Sequence, residues 1–336
     1  MDIALLLVYS APLALAALGE LIGQRSGVIN IGLEGMMLTG AFIGVLVERA
    51  TGSPGVGFVA AALVGIVLGL FSGWFTVKLA ADQVVVGTAV NFFALGLTGL
   101  WYRLAFGSSG KLLNTVALPR WLGIDPVVWL LFLLVPLVAF LVYRTNWGLA
   151  LRAAGGYPVA AEAAGFSVER LRLEALAMGG LLAGLAGAYL SLGVANSFVE
   201  GMTAGRGFLA IALVTFGRWR PALVGLAALL IGYCQSLKFA LQESALPYLP
   251  LTLIFGFIGI AILVFVVRRK AAPAALLFAA ASFASAVAIY GHHAPIGIPS
   301  QLWLALPYVV ALVVLVVLGK GTVVPGALGI AYKRER

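Results

Sequence analysis

The sequence predicts an all-α fold: a polytopic transmembrane helix bundle of about 10–11 membrane segments, one of them a half-helix. Three observations predict it. Hydrophobic residues make up 62% of the chain and charged residues only 10%, where a soluble domain carries about a quarter charged residues. Apolar runs of the length needed to cross a hydrocarbon core, roughly 20 residues, recur along the chain. The cations lie in short segments between those runs. The net charge is +9, from 21 Lys+Arg against 12 Asp+Glu. In a soluble chain that excess suggests nucleic acid. Between apolar runs it reads as the positive-inside bias of cytoplasmic loops. Membrane lipid, and no nucleic acid, is the expected surrounding.

In chain order the expected spans are 3–19, 28–47, 56–77, 84–102, 126–143, 175–194, 221–240, 248–267, 272–290 and 301–318. Met1-Asp2 offers no basic stretch ahead of the first run, which therefore reads as a retained span and not a cleaved signal. A shorter run, 207–217, precedes Arg218-Trp219-Arg220-Pro221. It is too short to cross alone and reads as a half-helix, with Pro221 opening the next segment. With the N-terminus outside, Arg25, Lys78, the stretch 144–174, Arg218/Arg220, Arg268-Arg269-Lys270 and Lys333-Arg334 fall on the cytoplasmic side. Arg103, Lys111 and Arg120 fall on the other side, with Glu48, Asp125, Glu200, Glu243 and His292-His293, so the separation is incomplete.

Small residues recur at packing spacing. Gly65, Gly69 and Gly73 form a double G-x-x-x-G ridge, and Gly180 and Gly184 form another, with Gly187 nearby. In lipid such ridges let helix backbones approach closely. Leu246-Pro247-Tyr248 and Leu306-Pro307-Tyr308 each precede an apolar span, an echo that fits either a duplicated terminal element or chance.

The residues offer little to an enzyme. Cys234 is the only cysteine, so an intrachain disulfide and a thiolate metal cluster are excluded. The adjacent histidines read as a solvated loop. Gly107-Ser108-Ser109-Gly110-Lys111 resembles a phosphate loop only briefly, because Ala105 and Leu112 stand where glycine and Ser/Thr are required. No catalytic residue, cofactor or metal site is expected, and any ATP must be bound by a partner.

The main polar island is 144–174. Pro158 suits the start of a short helix centred on Glu162, Gly165 suits a left-handed cap, and Ser167 suits an N-cap with Arg170 and Arg172 following. Both a docking element and a solvated connector fit this composition. Inside the spans, Asn30 and Glu34 stand i, i+4 on one expected helix face, and Gln83 and Asn91 bracket the start of span 84–102. A charge within the bilayer costs about 2.5–3.5 kcal/mol, so such groups face protein or a water-filled path. Interhelical hydrogen bonding and solute contact are both open for these residues.

The motif Ser26-Gly-Val-Ile-Asn-Ile-Gly-Leu-Glu-Gly-Met-Met37 resembles the signature of permeases of the branched-chain amino acid/simple sugar/nucleoside class of bacterial ABC importers, nearest to the nucleoside-type branch. Ala81-Asp-Gln-Val-Val-Val-Gly87 with Asn91, Gly148 to Arg172, Gly205-Arg-Gly-Phe-Leu-Ala210 through Pro221, and Leu306-Pro-Tyr308 to Gly329 resemble the same family in the same order. One departure stands out: roughly 55 residues intervene where the family passes fairly directly, room for an extra hairpin at 246–297, since each span takes about 20.

The resemblance implies a permease domain over 1–336 in the bacterial inner membrane, forming half a translocation pathway for a nucleoside or simple sugar. It implies a substrate pathway that includes Asn30, Glu34, Gln83 and Asn91, and coupling to an ATPase through Arg152, Glu162, Gly165 and Arg170. Its implied partners are a second related permease, an ABC ATPase and an external solute-binding lipoprotein. An ion-coupled secondary transporter with Glu34 as proton carrier is the alternative, and a non-transporting scaffold a third reading.

Overall fold

A computed structural model describes residues 3–106, 113–116, 118, 121, 124–243, 252, 256, 259, 280, 282–284, 286–287, 309–310 and 324–332. The chain forms two compact units, one of residues 2–233 with 322–336 and one of residues 234–321. The proposed hairpin 246–297, the spans 248–267, 272–290 and 301–318, the two Leu-Pro-Tyr motifs, the histidine pair and Gly107–Lys111 lie, apart from scattered positions, outside the described residues.

The first unit is built from helices. They are α1 (Ile3–Arg25), α2 (Leu33–Thr51), α3 (Pro54–Gly73), α4 (Gln83–Phe106), α5 (Pro126–Arg144), α6 (Asn146–Gly156), α7 (Pro158–Ala163), α8 (Val168–Tyr189) and α9 (Arg206–Phe216). The last, α10 (Pro221–Glu243), begins in this unit. Single π-helical turns extend α3 through Trp74–Lys78 and α8 through Leu190–Val194. Among the described residues, five helices are long and apolar enough to cross a membrane: Ala4–Arg25, Pro54–Lys78, Gln83–Ala105, Pro126–Arg144 and Val168–Val194. Val59, Leu63 and Val67 of α3, Val85 and Phe92 of α4, and Leu133 and Phe140 of α5 are exposed. In water such a surface would drive aggregation; in a bilayer it is the solvated face. The all-α, multi-pass expectation holds.

The glycine ridge of α3 docks on α8. A Cβ on Gly65 would strike the Gly180 carbonyl, and one on Gly187 would strike the Met37 carbonyl of α2. The seam of α2, α3 and α8 is therefore backbone against backbone, and the absent side chains are what let it close.

The short run 207–217 is the half-helix α9, and Pro221 opens α10 as expected. Between them Arg218 and Trp219 adopt left-handed φ values of 52° and 54°, which a non-glycine residue adopts at a cost. At the end of the bundle that holds Glu48 and Asp125, β1 (Leu113–Asn114) pairs antiparallel with β2 (Ser197–Phe198). Phe198 packs edge-on to Phe42 at 5.2 Å between ring centroids and fixes this cap to α2.

Span 28–47 is corrected. Helix α2 begins only at Leu33, and residues 26–32 form an irregular connection from α1. Gly27 takes a φ of 95°, which ends the α1 helix, and the Ser26 hydroxyl donates to the Gly23 carbonyl at 2.7 Å. Asn30 thus precedes the helix, and the expected shared helical face with Glu34 does not form.

Candidate functional site

A buried irregular connection between two helices leaves backbone groups that only protein can satisfy. In this chain long-range side chains satisfy them. The Ile29 N–H donates to Gln83 Oε1 at 2.9 Å, and the Asn30 N–H to Glu20 Oε1 at 3.2 Å. Asn91 works both ways: its Nδ2 donates to the Ile31 carbonyl at 2.9 Å and its Oδ1 accepts from Gly35 N at 2.8 Å. Arg172 Nε donates to the Ser26 carbonyl at 3.2 Å, and Gly329 N to the Gly27 carbonyl at 3.0 Å. A Cβ on Gly87 would meet Gly32 N at 2.7 Å, so α4 lies directly against the break.

Glu34, in the first turn of α2, reaches the start of α9. Its Oε1 accepts from Gly205 N at 2.8 Å and its Oε2 from Gly207 N at 2.6 Å. A carboxylate at a helix N-terminus satisfies orphan donors and complements the positive end of the dipole. Glycine is required at 207, where a Cβ would lie 2.5 Å from the Glu34 backbone nitrogen. The four residues expected in the substrate pathway, Asn30, Glu34, Gln83 and Asn91, therefore gather at one place where α1, α2, α4 and α9 meet. Gln83, Asn91 and Glu34 each make backbone hydrogen bonds there; the Asn30 side chain donates to Met36 Sδ at 3.3 Å.

Glu20 and Gln24 belong to this centre and are absent from the sequence expectation. Both are buried; Gln24 Nε2 donates to Glu20 Oε1 at 2.9 Å, and Gln24 Oε1 accepts from Trp219 Nε1 at 2.7 Å. Glu20 Oε2 is buried with no hydrogen-bond partner among the described residues. The signal available was their i, i+4 spacing directly after the first apolar run. Arg172 is likewise 1% exposed and joins the break to the C-terminal segment, donating to the Ile330 carbonyl at 3.0 Å.

The segment 144–174 folds as its local signals dictate. Thr145 caps α6, Pro158 opens α7, Gly165 turns the chain at φ 87°, and the Ser167 hydroxyl accepts from Arg170 N at the start of α8. Ala150, Ala154, Ala161, Val168 and Leu171 form its small core, with Trp147 and Tyr332 packed on it. Tyr157 and Val159 stand exposed beside it. Glu162 accepts from the Tyr332 hydroxyl at 3.0 Å, and Arg170 pairs with Glu174 at 2.8 Å. Arg152 takes a different position: it stacks on Tyr143, 5.2 Å from the ring centroid, beside Arg25 at 5.6 Å on the same ring. Arg25 donates twice to the Trp219 carbonyl, at 3.1 and 2.7 Å.

The expected cytoplasmic sites Arg25, Arg152 and the 217–220 turn are thus gathered at one end of the bundle. At the other end Arg103, an exception to the charge pattern, pairs with Glu200 at 2.9 Å. That hydrogen bond holds the Glu200 carboxyl below its ordinary pKa. Among the described residues, no group of three His, Cys, Asp or Glu side chains could hold a metal ion.

An apolar multi-span bundle whose buried α1–α2 connection is held by polar side chains from several helices fits a membrane transport subunit. The chain belongs to the family described as branched-chain amino acid transport system / permease component, whose model matches residues 3–267. It is similar to TsgC13 of Haloferax volcanii, named as a permease protein of a glucose ABC transporter, at 37% identity over 70% of this chain and 75% of the relative. It is similar to the guanosine ABC transporter permease protein NupQ of Bacillus subtilis at 34%, over 69% of this chain and 80% of the relative; that organism's NupP, a second guanosine permease protein, also matches. The nucleoside ABC transporter permease protein NupC of Lactococcus lactis is 30% identical over 70% and 81%. No solved structure matches. The chain is a permease component of an ABC transporter, which sets aside the ion-coupled and scaffold readings.

Proposed function

We propose that this chain forms half of the translocation pathway of an ATP-driven importer for a nucleoside or a related polar solute such as a simple sugar, in the bacterial inner membrane. The observation that carries the reading is the buried polar centre around the 26–32 connection: Asn30, Glu34, Gln83 and Asn91 meet there, and Gln83 Nε2 and Glu20 Oε2 have no hydrogen-bond partner among the described residues. A nucleoside or sugar presents the hydroxyls and amides that such groups recognise. Relatives named for guanosine, nucleosides and glucose support that solute class.

The partners are a second related permease, an ABC ATPase and an external solute-binding lipoprotein. Two guanosine permease proteins in one organism support a heterodimer. The hairpin of α6 and α7 within 144–174 docks on the ATPase through its exposed apolar rim. Glu162, Gly165 and Arg170 hold that rim in shape, and Arg152 links it to the 217–220 turn through Tyr143.

The test is guanosine uptake, with glucose as competitor, into proteoliposomes holding the copurified complex. ATP-dependent uptake is expected, abolished by Glu162→Arg or Arg170→Glu with the melting temperature retained. Normal uptake by both variants would remove the coupling assignment, and uptake of neither solute by the intact complex would remove the solute class.

A further inference from the structure

We propose that a cavity at the Arg25/Arg152 end of the bundle is a binding site for a phosphate-bearing anion. The cavity measures about 240 Å³ and is lined by Arg25, Arg152, Gly156, Tyr157 and Pro325, among others. Two guanidiniums share one aromatic ring there, and Arg220 lies within electrostatic reach of Arg25. Like charges held together repel, yet among the described residues no carboxylate pairs with Arg25 or Arg152.

Backbone carbonyls account for part of this cation cluster. Arg25 Nε and Nη2 are engaged with the Trp219 carbonyl and the Tyr143 hydroxyl. They do not account for Arg152, whose Nε makes a long 3.3 Å bond to the Gly148 carbonyl and whose terminal nitrogens have no partner among the described residues. A planar guanidinium with free paired donors matches phosphate oxygens in a fork geometry. A Cβ on Gly156 would meet nothing within 4 Å, so the wall beside Arg152 is open.

The walls belong to elements that also hold the helix break. Ala327 N donates to the Gly155 carbonyl at 2.9 Å, and Gly329 N to the Gly27 carbonyl at 3.0 Å. An anion seated between Arg25 and Arg152 ties the end of α6 to the end of α1, and so biases how the α6–α7 hairpin sits against the break. A phospholipid headgroup and a soluble phosphate present the same chemistry.

The experiment uses the full chain in a maltoside detergent with chloride at constant ionic strength. Inorganic phosphate and phosphatidylglycerol micelles are the two probes, and melting temperature is the readout. At least one probe raises the melting temperature of the native protein: phosphate alone for a soluble ligand, phosphatidylglycerol alone for a headgroup. Arg152→Gln binds that probe about tenfold more weakly, the loss of one charge-assisted contact, and Arg152→Lys retains part of the affinity. Gly156→Asp, which places a carboxylate at the open wall, abolishes the shift and keeps the test valid if Arg152→Gln fails to fold. No shift with either probe, or an undiminished shift in Gly156→Asp, overturns the proposal. The readout is binding, so its failure is distinct from a failure of the transport reading.

Discussion

The α2–α3–α8 seam and the break at 26–32 solve the same problem in opposite ways. At the seam the helices keep their internal hydrogen bonds and meet by shedding side chains, as at Gly65 against Gly180. At the break the backbone gives up its helical bonds and recruits the side-chain amides of Gln83 and Asn91, more than 50 residues away, and the Glu20 carboxylate of α1. The seam has one way to fit. The break is held by a handful of side-chain hydrogen bonds, which can exchange partners where a backbone seam cannot.

The sharpest way to break this contrast is to add bulk to the seam. Gly65→Leu should cost at least about 3 kcal/mol and abolish the folded protein in detergent melting; a stable variant would mean that the ridge is not in close contact. Next comes Glu34→Ala, which leaves the Gly205 and Gly207 N–H groups without their acceptor. A loss of about 2–4 kcal/mol is expected, together with impaired transport, while Glu34→Gln should recover part of both. Unchanged stability with altered solute affinity would move Glu34 from positioning α9 to solute contact alone. Asn91→Ala should cost about 1–3 kcal/mol and loosen the break, read as faster amide exchange at Ile31 and Gly35 with the seam unaffected; equal loosening of both regions would erase the distinction.

The smallest effect belongs to Arg103–Glu200. Its hydrogen bond lowers the Glu200 pKa, so its contribution is present above the unfolded carboxylate value of about 4.3. That contribution is lost as pH falls through the lower folded value. Because the pair is exposed, the gain over Glu200→Gln should be the smallest of these effects and disappear in acid melts.

What was legible in the sequence follows the range of the interactions. The turn at Pro158, Gly165 and Ser167 is local capping chemistry, and it folds as read. The glycine ridges are legible because a 3.6-residue repeat fixes which residues share a face. The sequence starts α2 too early because the amides that compete for its backbone lie at Gln83 and Asn91, and no window around residue 30 contains them. Glu20 falls outside the expected first span because hydrophobicity ends that run at residue 19, whereas the helix continues to Arg25. The π turns at Trp74–Lys78 and Leu190–Val194 have no composition that distinguishes them from the helices they extend.

One consequence concerns leverage. With 11 residues, α9 is a rod about 16 Å long, roughly half the hydrocarbon thickness. Its first turn is fastened to Glu34, and the turn after it to Gln24 and Arg25 through Trp219. A strut bolted at both ends has no slack to swing. Any stroke delivered at its Trp219 end reaches Glu34 as a push or a twist along the faces of α1 and α2 that flank it.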